Sequence, residues 1–155
     1  MNGSLLYQAY GIKSYSYCSS EYKGNAIFLH LKTIFPKRPV CPHCSGRHVI
    51  KYGVVSRTLH NLSFGSKPCY LSLQIQRCCC KDCGSVWQSD IPFTHGEVSY
   101  TYRFSRYVLD LLRMGNTIKD VALHLHVGWN MVKEIHKKYL KSKYSHPDIK
   151  QVHRI

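Results

Sequence analysis

Two short cysteine pairs constrain this chain more than any other feature in it. Cys41-Pro42-His43-Cys44 and Cys80-Lys81-Asp82-Cys83 are both C-x2-C, with residues 45–79 between them. Two thiolates three positions apart reach one cation from a tight knuckle. Two such knuckles complete a tetrahedral set of sulfur ligands, the geometry of a structural Zn2+. Gly46 and Gly84 suit the positive-φ turns that bring backbone amides up to the sulfurs. Strands around residues 49–55 and 70–77 fill the interval. The spacing therefore predicts a zinc ribbon closed by Cys41, Cys44, Cys80 and Cys83.

Competing readings of these cysteines exist. They could be ordinary buried thiols. A redox pair would open a helix after a buried strand, which neither pair does. Catalytic zinc needs an open position that four thiolates do not leave. Cys78, Cys79 and Cys80 are consecutive. Cys80 keeps the C-x2-C spacing, whereas Cys79 would give C-x3-C. By strand alternation Cys79 shares the face of Leu73 and Ile75, as a small core residue. His43 and His48 are alternative ligands.

Eight cysteines in 155 residues would suggest disulfides in a secreted chain. The start, Met1-Asn2-Gly3-Ser4-Leu5-Leu6, has no basic region followed by an apolar core, so the expectation is a reducing, cytoplasmic compartment. No apolar run approaches the ~18 residues of a membrane span. The 22 Lys and Arg against 8 Asp and Glu leave a formal charge of +14, which favours a polyanionic partner, most often nucleic acid. Residues 1–95 hold eleven basic and three acidic residues; residues 96–155 hold eleven and five.

Patterning divides the chain near Ile91-Pro92-Phe93-Thr94-His95-Gly96, a turn or linker. The expected fold is α+β: a β-rich zinc-ribbon domain over residues 1–95, then a small all-α domain over 96–155. In the first part, Ser14-Tyr15-Ser16-Tyr17-Cys18, a turn at 21–25, and Ala26-Ile27-Phe28-Leu29-His30-Leu31 predict a hairpin. In the strand over 70–77, Leu71, Leu73 and Ile75 point one way and Ser72, Gln74 and Gln76 the other.

The second part carries helical spacing. Phe104, Tyr107, Val108, Leu111 and Leu112 share one face of a helix over 101–114, with Gly115 as its C′ residue. Thr117-Ile118-Lys119-Asp120 reads as a capping box opening a second helix that buries Ile118, Val121, Ala122 and Leu125. After His126-Val127-Gly128, a third helix runs from Trp129 or Asn130 to Tyr144, burying Met131 or Val132, Ile135 and Tyr139. Two short helices joined this way, the second rich in Lys, predict a helix-turn-helix. An α-helix fits the major groove, where its first side chains reach base edges while lysines neutralise phosphates. The exposed reader would be Trp129, Asn130, Lys133, Glu134 and Lys137, extended by Lys138, Lys141 and Lys143. The plainer alternative is a three-helix bundle with a solvated Lys face.

The order C-P-H-C, a β-rich stretch, C-K-D-C-G, then T-I-K-D-V-A-L-H-L-H-V-G-W-N-M-V-K-E-I-H-K-K-Y-L resembles the N-terminal half of bacterial insertion-sequence transposases of the ISL-three family, over roughly residues 5–155. The resemblance implies a structural zinc on Cys41, Cys44, Cys80 and Cys83 and a helix-turn-helix over about 117–139. Their implied role is recognition of the transposon's terminal inverted repeats, with duplex DNA, a second copy or an intact transposase as partners in the nucleoid. The chain departs from the family at His126, where a turn glycine is usual, and at Gly128, where a Ser cap is usual. It also stops at Gln151-Val152-His153-Arg154-Ile155, about where the first strand of the catalytic DDE domain should begin. Two-metal phosphoryl transfer needs converging carboxylates. Glu21, Asp82, Asp90, Glu97, Asp110, Asp120, Glu134 and Asp148 are scattered, so no catalytic residue is expected. The expectation is a DNA-binding transposase part without strand-transfer activity. Alternatives are a repressor or competitor of intact transposase built from the same module, or an RNA-binding zinc ribbon with Tyr15, Tyr17 and Tyr22 stacking on bases.

Overall fold

The computed structural model describes residues 5–145; Asp148 and the terminal stretch 151–155 lie outside them. A short helix α1 (Leu5–Tyr10) leads into strands β1 (Tyr15–Lys23), β2 (Ala26–Thr33), β3 (Val49–Phe64), β4 (Lys67–Cys80) and β5 (Val86–Gln88). Helices α2 (Tyr102–Arg113), α3 (Ile118–His124) and α4 (Trp129–Tyr144) follow. The architecture is α+β, strand-rich first and helical last. No helix among the described residues is long and apolar enough to cross a membrane.

One sheet runs in the order β1-β2-β4-β3, with β5 also on β4. β1 and β2 form the expected hairpin, but its turn tightens to Gly24-Asn25, both at positive φ (56° and 63°), as a two-residue type I′ connection requires. β2 and β4 pair in parallel, Ile27 opposite Cys69 through Lys32 opposite Gln74. The first knuckle and β3 form the crossover between them. β5 takes the continuation of that edge, Arg77 opposite Gln88 through Cys79 opposite Val86.

The alternation in β4 builds the core. Leu71, Leu73 and Ile75 are buried to 1% exposure or less, under Leu6 and Tyr10 of α1 and beside Leu29, Leu31 and Leu59. The buried face changes beyond Ile75: Arg77 is exposed and Cys78 is buried, leaving Cys79 half-buried. That corrects the placement of Cys79 in the core. The core layer ends at Ile75, and past it β4 is flanked by β5 and buries its opposite face. Tyr15 is buried against the Phe93 ring at 5.3 Å, so it is unavailable to stack on a base, whereas Tyr17 and Tyr22 are exposed.

The chain divides into two compact units, one running to Phe104 and one starting at Ser105, so the division falls inside α2 rather than at the turn over 91–96. Hydrogen bonds hold the intervening residues to the sheet. His60 of β3 exchanges two backbone bonds with this segment (His60 N–H to Ser99 O, 2.8 Å; Thr101 N–H to His60 O, 2.9 Å), and within the segment Thr94 Oγ1 donates to Tyr100 O at 2.7 Å.

In the second unit the capping box is complete: Asp120 N–H donates to Thr117 Oγ1, and Thr117 N–H donates to the Asp120 carboxylate. α3 ends in a Schellman turn. His126 N–H donates to Leu123 O and Val127 N–H to Ala122 O, with His126 at φ 54°. The turn geometry that glycine usually serves is therefore kept by a histidine, at a backbone cost. Gly128 caps α4 with no side-chain hydrogen bond. Val121, Ala122, Leu125, Val132 and Ile135 are buried between the helices; Met131 stays half-buried, so Val132 is the core residue of that pair.

Candidate functional site

The two knuckles are backbone copies of each other. In the first, Cys41 N–H donates to Gly46 O and Ser45 N–H to Cys41 O; in the second, Cys80 N–H donates to Ser85 O and Gly84 N–H to Cys80 O. Each knuckle turns at the residue after its second cysteine, Ser45 at φ 59° and Gly84 at φ 72°. The expectation of a positive φ at Gly46 is thus corrected: Ser45 takes it. Gly46 is required for another reason. A Cβ there would meet the Asp82 carboxylate of the other knuckle and stand 3.1 Å from Cys44 Sγ. Aligning C-P-H-C-S-G with C-K-D-C-G-S would have revealed the shared position.

The knuckles face each other. Lys81 N–H donates to His48 O at 2.9 Å, and His48 Nδ1 lies 2.6 Å from Asp82 Oδ1. The His48 hydrogen bond holds the Asp82 carboxyl below the usual range. Neither His48 nor Asp82 was singled out as a cross-brace from sequence, because their pairing depends on the knuckles closing.

Between them the four sulfurs of Cys41, Cys44, Cys80 and Cys83 lie within 4.8 Å of one another, with Cys41–Cys83 at 3.7 Å and Cys44–Cys80 at 3.6 Å. A tetrahedron with Zn–S bonds of about 2.3 Å has edges of about 3.8 Å, so the sulfurs stand where zinc would hold them. All eight cysteines are free thiols. Hydrogen bonds from the Ser85 hydroxyl and amide draw the Cys83 thiol down to about 6. The Gly46 amide favours a Cys44 thiolate, but Cys83, burial, Cys80 and Cys41 outweigh it and push that thiol up to about 12. Within the cluster Cys83 ionises readily, whereas Cys44 and Cys80 resist ionisation. A divalent cation removes that conflict. The four cysteines are positioned to bind a metal ion, consistent with structural Zn2+. His43 and His48 lie outside the ligand group, and so does Cys79, whose Sγ is 3.7 Å from Cys80 O.

Residues 37–83 match the zinc-finger of transposase IS204/IS1001/IS1096/IS1165. The matched stretch carries both knuckles and the strands between them. No curated protein matches the chain, and no solved structure does.

On α4, Asn130, Lys133, Glu134, Lys137, Lys138 and Lys141 are exposed, on the side away from buried Val132 and Ile135. Trp129 is 54% exposed at the first helical position, with Lys133 Nζ 5.3 Å from its ring centroid. Tyr139 is half-buried, and Arg113 donates to its hydroxyl at 3.0 Å. That bond and the nearby Lys143 hold the Tyr139 phenol below its usual range.

Proposed function

We propose that this chain is the DNA-recognising part of a transposase, docking on the element's terminal inverted repeats. In this reading α3, the Schellman turn and α4 are a helix-turn-helix. α4 enters the major groove, Asn130 and Lys133 address base edges, and Lys137, Lys138 and Lys141 neutralise phosphates. Zinc serves as a fastener that folds the ribbon, because four thiolates leave no open coordination position for chemistry. The observation that carries the reading is the four-thiol centre inside a stretch matching a transposase zinc finger. The capped helix pair and the surplus of +14 support it.

Footprinting on duplexes bearing the terminal inverted repeats tests it. The repeats should be protected at concentrations that leave a shuffled duplex bare. Equal protection of both would remove the claim of specificity. A steep loss of binding with salt is expected for any duplex and does not bear on that claim.

A further inference from the structure

The knuckle end of the sheet carries a surface that the metal centre does not use. Cross-strand pairing sets Ile50, Cys79 and Val86 in one row over β3, β4 and β5, and Arg77 beside Gln88 in the next. On this end the sheet face is bare: Ile50, Tyr52 and Val86 are 40%, 56% and 41% exposed. A bulge between Lys51 and Val54 shifts the register of β3, with Gly53 at φ 117°. Gln76 Nε2 pins that bulge, donating to Gly53 O at 2.7 Å and to Arg77 O at 2.8 Å. The bulge places the Tyr52 ring under the Arg77 guanidinium, 5.8 Å from its centroid.

An exposed guanidinium steadied on an exposed phenol is a ready anion contact with a flat surface beside it. Charge says which partner fits. Over residues 41–88 Asp82 is the single acid, and His48 engages it, while the chain as a whole carries a surplus of +14. A second copy of so basic a chain repels the first, whereas a polyphosphate does not.

We propose that Arg77 and Tyr52 form a second duplex-binding surface, with Arg77 on a backbone phosphate and Tyr52 packed on the adjoining sugar, distinct from α4. This rests on the reading of the chain as a DNA-binding transposase part. It adds that the ribbon grips DNA directly and is more than a brace.

The test measures binding of Arg77→Ala, Arg77→Lys, Tyr52→Ala and Lys133→Ala to the inverted-repeat duplex across salt, with zinc content and oligomeric state recorded for each. Arg77→Ala should weaken binding roughly tenfold and lower the logarithmic salt slope by about 1. Arg77→Lys should restore the slope but only part of the affinity. Tyr52→Ala should weaken binding several-fold with little change of slope. All should keep full zinc. Wild-type binding by Arg77→Ala and Tyr52→Ala, while Lys133→Ala binds weakly, would overturn this inference and leave the proposed function standing. Binding by none of the proteins, wild type included, would overturn both. If Arg77→Ala loses zinc, Arg77 balances thiolate charge and Tyr52→Ala decides: unchanged affinity there, or a changed oligomeric state, overturns the proposal.

Discussion

The two knuckles and the turn between α3 and α4 solve one problem in different ways. Each is a tight reversal at a positive φ, taken by Ser45 and Gly84 in the knuckles and by His126 after α3. Around the knuckles there is little to pack: Cys44, Ser45, Cys83 and Gly84 are exposed. Around His126 there is a small core, with Val121, Val132 and Ile135 at 3% exposure or less. A segment that buries little apolar surface needs a cation to hold it, whereas one with a core is held by side-chain packing, a cap and a few backbone bonds.

Removing the metal should break the contrast most visibly. A strong chelator takes away roughly 10 kcal/mol of site-forming free energy. Hydrogen exchange in the chelated protein should show protection lost around residues 41–49 and 78–86 and retained in α3 and α4. Equal loss in both would deny that the two regions are stabilised independently. Next in size, Ile135→Ala should cost about 2–5 kcal/mol in the helical unit and leave zinc stoichiometry unchanged; paired denaturation and metal assays read both. Thr117→Ala removes one side of the capping box and should cost about 1 kcal/mol in the same denaturation assay.

His126→Gly should work in the opposite direction, raising helical stability by about 1 kcal/mol by relieving the left-handed backbone. No gain would mean that the imidazole makes a compensating contact. The smallest effect concerns His60, packed 4.6 Å from the Tyr70 ring centroid. Burial lowers its pKa in the folded chain. As pH falls through the ordinary histidine range, the unfolded chain takes up this proton before the folded one does. Stability should therefore be full at neutral pH and decline below about 6.5. His60→Phe should flatten that part of a pH–stability curve.

Much of this was legible in the residues. C-x2-C spacing names its own geometry, strict alternation at Leu71, Leu73 and Ile75 marks a core face, and Thr117-Ile118-Lys119-Asp120 closes a box on itself. These are local signals. What escaped was set by distant partners. The parallel pairing of β2 with β4 needs the whole crossover. The switch of burial from Ile75 to Cys78 depends on where the core layer ends. The attachment of residues 96–104 to the first unit depends on His60 and Asn61, which Thr101 meets only in the folded chain (Oγ1 to Asn61 Oδ1, 3.1 Å). Gly46 answers to clearance rather than to φ, because the Asp82 carboxylate that crowds it arrives from the other knuckle.

The most direct measurement is native mass spectrometry of the wild type beside Cys80→Ser and Cys79→Ser. One Zn2+ per wild-type chain, kept by Cys79→Ser and lost by Cys80→Ser, is the expected result. A Cys80→Ser protein that retains its full complement of zinc would contradict the four-thiol centre on which the account is built.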